Sequence, residues 1–341
     1  MVNEKDLYEK YDPRGGGEPV SILSVENVSH AYDKKATRYA LRDIDLSIAK
    51  NEIVALVGES GCGKTTLGKI FSGLITPTQG TVKFGSTDLS TMKRKDFEKY
   101  RRSVQLVHQD PYASLNPALT IYETLSSGVS RHKLVPRSEL TDYVRSLLDR
   151  VGLLSDSDVM HRYPHQLSGG QRQRIGIARA LALQPQVIVA DEAVSMLDVS
   201  MRVSILDLLL KLKEDEGLSY LFISHDFGVV RYFAGGSRIA VLYFGTVVEE
   251  GICEEIIEHP QHPYTYVLLS AVPVPDPRLS RSRTVVTLAE VDETGVDKKG
   301  CVFERRCPFA NKRCQEEVPP LRNVEENHRV ACFYPERIPR N

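Results

Sequence analysis

Apolar residues gather in short runs divided by polar stretches, and their spacing changes along the chain. From Ser21 to about Gly85 the pattern is strand-rich, with an apolar strand predicted at Ile53–Val57. A polar segment from about Leu89 to Val159 reads as helical. A helix–strand–helix–strand series then covers 169–223. Its helix at 201–214 carries Ile205, Leu208, Leu209 and Leu212 at i, i+3, i+4 and i+7, which buries one face. Strands Val187–Ala190 and Tyr220–Ile223 flank that helix, making a βαβ unit with parallel strands. No run of about 18 apolar residues occurs, so the chain is not expected to span a membrane by itself. Met1 to Arg14 is charged and lacks the apolar core of a signal peptide, so a cytoplasmic location is expected. Membrane attachment would then come through partner proteins.

With 341 residues, 41% of them hydrophobic, the chain exceeds one mid-sized domain, and a catalytic domain with a smaller appendage is expected. Residues 1–20 contain Gly15-Gly16-Gly17 and read as a flexible lead. Prolines cluster at 260, 263, 273, 275 and 277, which sets a boundary near 255 and an extension over 256–341. The 44 basic and 45 acidic residues give a net charge of −1, so no nucleic-acid partner is indicated. The basic run Lys93-Arg94-Lys95 is interleaved with Asp96 and Glu98 and reads as a solvated helix face.

Chemistry enters at Gly58-Glu59-Ser60-Gly61-Cys62-Gly63-Lys64-Thr65, which fits G-x-x-x-x-G-K-[ST] directly after the strand Ile53–Val57. The glycines let backbone N–H groups turn inward around phosphate oxygens at the positive end of the following helix. Lys64 reaches toward the β- and γ-phosphates, the Thr65 hydroxyl toward Mg²⁺, and Thr66 is counted with the nucleotide-binding residues. Cys62 reads as a small filler. The strand Val187–Ala190 ends in Asp191-Glu192, which offers one carboxylate to Mg²⁺ and a neighbour as general base for water. Solvated acids at a strand end are common, so this pair gains meaning from its order after the loop. Leu167-Ser168-Gly169-Gly170-Gln171 opens a further helix, with Ser168 as N-cap and two glycines exposing amides to an anion. Two phosphate-binding devices for one nucleotide make sense when they come from different subunits.

This ordered set resembles the ABC ATPase family. The resemblance implies an α/β P-loop core with an antiparallel β subdomain, together an ATPase domain over 21–255, and a helical subdomain at about 95–175. It also implies a head-to-tail ATPase pair in which each ATP touches Gly58–Thr66 of one subunit and Ser168–Gln171 of the other. Gln109 matches the glutamine loop near Mg²⁺, Asp198 the loop that couples the two sites, and His225 the switch histidine beside Glu192. Tyr32 matches the aromatic that stacks on adenine, with Tyr39 as the competing candidate. Ala193 stands where proline is usual and Met196 where a small residue is usual.

Three stretches are similar to oligopeptide/dipeptide importers in particular: Gln109–Pro117, Arg162–Gln166, and His259–Thr265 continuing into Ala271-Val272-Pro273. That resemblance is nearer to the second ATPase of such a pair than to the first. It implies a second ATPase subunit, two transmembrane permeases, an extracytoplasmic substrate-binding protein and a place on the cytoplasmic membrane face. Relatives of the same architecture carry nickel or oligosaccharides. A soluble ABC switch on nucleic acid or ribosomes is the rival, but a second cassette and a long coiled coil are both missing.

Cys301, Cys307, Cys314 and Cys332 are separated by five, six and seventeen residues. In a reducing compartment this points to metal ligation before disulfides, and the spacing alone leaves Zn²⁺ and an iron–sulfur cluster open. The importer resemblance implies a [4Fe-4S] cluster.

Overall fold

The computed structural model describes residues 21–33, 39–154, 158–272 and 299–339; the lead at 1–20 and the prolines at 273, 275 and 277 lie outside these. Strands β1 (Ser21–Ala31), β2 (Tyr39–Ala49), β4 (Gln79–Phe84) and β5 (Thr87–Asp88) form an antiparallel sheet in the order β2-β1-β4-β5. A second sheet runs through β10 (Thr246–Ile252), β9 (Arg238–Tyr243), β3 (Ile53–Val57), β8 (Ser219–Ser224), β7 (Val187–Asp191) and β6 (Val104–Val107). Its strands from β9 to β6 are parallel.

This sheet is buried on both faces, and the alternation of its side chains separates two cores. Ala55, Tyr220, Phe222 and Ile188 point to one core, while Val54, Leu56, Leu221, Ile223 and Val189 point to the other. The second core also takes Leu67, Ile70 and Phe71 of helix α1 (Lys64–Phe71) and the inner face of the antiparallel sheet. Helix α7 (Val199–Glu216) matches the helix expected at 201–214 and buries Ile205, Leu208, Leu209 and Leu212. It connects the adjacent parallel strands β7 and β8, as the βαβ reading requires.

The segment expected to be helical from Leu89 to Val159 is mixed. Helices α2 (Arg94–Ser103), α4 (Ile121–His132) and α5 (Leu140–Arg150) lie in it, but so does β6, paired in parallel with β7 from Val104↔Val187 to Val107↔Ala190. Four residues interrupted by Gln105 carry no period that separates strand from helix. The pairing to β7 decides the matter.

Parallel strands bring their C-terminal ends to one edge, and each end leads into a candidate residue. Strand β3 runs into Gly58, β6 into His108-Gln109, β7 into Glu192 and β8 into His225. At the far edge, β10 pairs with β12 (His328–Val330), which pairs with β11 (Arg322–Glu325), so the C-terminal residues extend the same sheet. The joint is polar but satisfied. Buried Glu249 accepts from the N–H groups of Gln261 and His262 and lies 2.8 Å from His328 Nε2.

Candidate functional site

The loop after β3 turns through glycines with positive φ: Gly58 at 155°, Gly61 at 81° and Gly63, the N-cap of α1, at 112°. An ideal Cβ on Gly63 would stand 2.6 Å from the carbonyl oxygen of Ala40, so close backbone approach as well as φ demands glycine there. Lys64 is buried, and its Nζ donates to the carbonyls of Gly58 at 2.7 Å and Glu59 at 2.8 Å. The ammonium is thus folded across the loop opening. Cys62 is buried and its thiol is pushed up by burial, consistent with a filler.

Thr65 Oγ1 donates to Asp191 Oδ1 at 3.2 Å, joining the start of α1 to the end of β7. Burial pushes the Asp191 carboxyl up, against the Thr65 hydrogen bond that favours its charge. Such a carboxylate gains from a nearby cation. Glu192 takes φ of 48°, an uncommon conformation for a residue with a side chain, and its N–H is tied to the Ile223 carbonyl at 3.0 Å. Its carboxylate lies between two partners: Gln109 Nε2 donates to Oε2 at 2.9 Å, and His225 Nδ1 stands 3.3 Å from Oε1. Tyr32 is 64% exposed at the start of α1, with its hydroxyl 3.0 Å from Thr66 Oγ1.

The Ser168–Gln171 turn forms separately. Ser168 caps helix α6 (Gly169–Leu181), its Oγ accepting from the Gln171 N–H at 3.2 Å while Gln171 Oε1 accepts from the Ser168 N–H at 3.0 Å. The Ser168 half of this reciprocal cap matches the N-cap expected from the sequence; the return bond from Gln171 was not read there. A Cβ on Gly170 would meet Met201 Sδ at 2.8 Å, so α6 starts directly against α7. Asp198 caps α7, accepting from the N–H of Met201 at 3.0 Å and the hydroxyl of Ser200 at 2.7 Å. The bond from Ser200 is the first cause holding its carboxyl below the usual range. Among the described residues, no hydrogen bond joins Ser168–Gln171 to Gly58–Thr66. The structure gathers Tyr32, Gly58–Thr66, Gln109, Asp191, Glu192 and His225, and leaves the Ser168 turn and Asp198 as a second cluster.

Comparison with known proteins decides the family. Residues 41–195 match the ABC transporter family, and residues 248–314 match the oligopeptide/dipeptide transporter C-terminal region. The chain is 43% identical to a putative peptide import ATP-binding protein of Brucella ovis, over 92% of this chain and 97% of that protein. It is 42% identical to the oligopeptide transport ATP-binding protein AppF of Bacillus subtilis, over 86% of this chain and 88% of that protein. The chain belongs to the ABC transporter family of ATP-binding proteins. Among solved structures it is similar to cbiO1 from Clostridium perfringens, part of an ABC transporter complex, with TM-score 0.62 and 30% identity over 69% of this chain and 90% of that one. A dimeric ATP-binding cassette bound to ADP and Pi aligns with TM-score 0.60 and 31% identity over 68% of this chain and 98% of that one.

This ABC ATPase has no described helix long and apolar enough to cross a membrane. Of the two departures, Ala193 is buried in the core, while Met196 is 64% exposed beside Asp198. All four C-terminal cysteines line one small cavity with His262, Phe303 and Phe333, and all are free thiols. Burial is the first cause pushing the thiols of Cys301 and Cys307 up, to about 12 and about 11, with neighbouring cysteines adding to it. Among the described residues, however, no three His, Cys, Asp or Glu side chains are gathered closely enough to hold a metal ion. The cavity is shared; a closed ligand set is not formed.

Two contacts on the Gly58–Thr65 loop have no signal in the local sequence. The Glu59 N–H donates to Tyr264 Oη at 2.8 Å, and Arg306 pairs with the Glu59 carboxylate. The partners are 205 and 247 residues away; Tyr264 lies in the importer-like stretch His259–Thr265, which gives no sign of this contact, and Arg306 lies in no motif.

Proposed function

We propose that this ABC ATPase powers peptide import, with Glu192 as the general base of ATP hydrolysis. The observation that carries the assignment is the Glu192 carboxylate held between Gln109 and His225, one residue beyond the Thr65–Asp191 contact. In this reading Gly58–Thr66 cradle the triphosphate with loop N–H groups and the Lys64 ammonium, and Tyr32 stacks on adenine. Thr65, Asp191 and Gln109 supply the oxygen donors that suit Mg²⁺, which would neutralise charge on the β- and γ-phosphates. Glu192 takes a proton from the attacking water, while Lys64 and His225 stabilise the transferring phosphoryl group.

Ser168–Gln171 would serve the ATP of a partner subunit, and exposed Met196 with Asp198 would lie on the face between the two. A second, distinct ATPase is the partner favoured by the resemblance to importer pairs. Gln109 leads into α3 (Pro111–Ser114), whose exposed Tyr112 ring lies under the Arg172 guanidinium of α6 at 3.5 Å. This contact gives permeases docked near Gln109, on the cytoplasmic membrane face, a mechanical route to the Ser168 turn.

Peptide cargo, delivered by an extracytoplasmic binding protein, is supported by the relatives named for peptide import and by the match over 248–314. Cells lacking this chain are expected to lose uptake of labelled short peptides. The wild-type gene should restore uptake and Glu192→Gln should not. Uptake unaffected by the deletion, with loss of nickel or oligosaccharide uptake instead, would move the cargo to those classes.

The four cysteines are assigned to a [4Fe-4S] cluster, with Zn²⁺ as the alternative; the one cavity that all four line supports this. Thiols raised by burial must lose protons to ligate, and the side chains must close inward from their present positions. Anaerobically purified protein is expected to carry iron and acid-labile sulfide in equal amounts. Zinc without sulfide would select the alternative, and neither metal would remove the assignment.

A further inference from the structure

Glu59 is held from three sides. Its N–H donates to Tyr264 Oη at 2.8 Å, its carbonyl accepts from Lys64 Nζ at 2.8 Å, and its carboxylate receives both terminal nitrogens of Arg306 at 2.8 and 3.0 Å. The Arg306 side chain is 16% exposed and that of Glu59 35%, so the pair is partly sheltered from water. Its two-pronged geometry fixes direction as well as distance. Arg306 stands between Cys301 and Cys307, in the segment that closes the cysteine cavity. Tyr264 is fully buried, packed against Tyr243 at 4.5 Å and Phe303 at 5.5 Å between ring centroids, and Phe303 lines the same cavity.

A carboxylate inside a loop that binds a triphosphate opposes its own ligand unless its charge is matched. Arg306 matches it and draws it aside. The Tyr264 hydroxyl commits the Glu59 N–H to the protein, which sets the direction of the peptide whose carbonyl now receives Lys64. These two side chains therefore bear on the position and the field of the residue that must release Lys64 to a phosphate.

We propose that Arg306 and Tyr264 are positioning residues for ATP, through which the cysteine-bearing segment braces the phosphate-binding loop at Glu59. The proposal rests on the assignment of Gly58–Thr65 to ATP, and it does not depend on what the cysteines hold. It makes ATP affinity sensitive to a residue 247 positions from the loop it serves.

The test is titration of the purified full-length chain with a fluorescent ATP analogue and Mg²⁺, alongside KM and kcat for ATP and thermal unfolding. Arg306→Gln should weaken binding and raise KM by about fivefold, with kcat changed by less than about twofold. Tyr264→Phe, which keeps the buried ring, should weaken binding by about threefold. The double variant Glu59→Gln/Arg306→Gln should recover to within about twofold of wild type, because the unmatched carboxylate is gone. Recovery in the double variant is the readout that general loosening of the C-terminal segment would not produce. Wild-type affinity in both single variants, or a double variant as weak as Arg306→Gln, would overturn the brace. A wild-type chain that fails to bind the analogue at all would instead overturn the ATP assignment beneath it.

Discussion

Glu192→Gln is expected to lower ATP turnover by about a thousandfold while leaving ATP binding within about threefold of wild type. The amide has the size and shape of the carboxylate, so the site should keep its form. Glutamine still offers an oxygen to Gln109 Nε2, now 2.9 Å from the carboxylate. What it cannot do is take a proton from water. Among the described residues, the side chain makes no hydrogen bond to the phosphate loop, where Thr65, Thr66 and Glu59 are held by Asp191, Tyr32, Tyr264 and Arg306. Binding and turnover therefore separate. Single-turnover hydrolysis and nucleotide titration on the same preparation read the two effects. Equal losses in both would indicate that Glu192 holds the site together rather than acting on water.

Gly58→Ala carries the next largest effect. An ideal Cβ on Gly58 would stand 2.1 Å from the Leu242 carbonyl oxygen and 2.8 Å from Cys62 Sγ, at φ of 155°. The first neighbour is the backbone of β9, which cannot swing aside as a side chain would. The loop must leave β9 or the sheet must spread. A destabilisation of about 3 kcal/mol is expected, with ATP binding weakened at least about thirtyfold. Gly61 supplies the control: its φ is 81°, but a Cβ there meets nothing within 4 Å. Gly61→Ala should cost only the backbone strain, about 1 kcal/mol. Thermal unfolding of the two variants separates crowding from strain, and similar losses in both would rule out the close approach to Leu242.

The gathering of the candidate residues was legible because each motif lies within a few positions of a strand end. The parallel sheet does the rest: once Ile53–Val57, Val187–Asp191 and Ser219–Ser224 pair in register, Gly58, Glu192 and His225 must meet at one edge. The capping of α6 by Ser168 was likewise legible as local chemistry, whereas the cap that Asp198 gives α7 was not read from the sequence. Strand Val104–Val107 was not legible, because four residues carry too little period and its identity comes from pairing with β7. The hold of Arg306 and Tyr264 on Glu59 was not legible either. It depends on how the C-terminal segment returns to the sheet through Glu249–Val330 and Glu250–Arg329 pairing. The cysteines show the opposite limit. Their spacing suggested a ligand set, and the fold brings all four to one cavity, yet their side chains do not stand as a closed set.

The most direct measurement is affinity purification of Glu192→Gln from native membranes in ATP and Mg²⁺, with identification of the proteins that come with it. Stalled hydrolysis should trap the closed assembly. Recovery of two multi-span permeases and a second ATPase is the predicted result, and the permeases would lead to the cargo. Recovery of ribosomal or DNA-associated proteins without any membrane protein would contradict the importer.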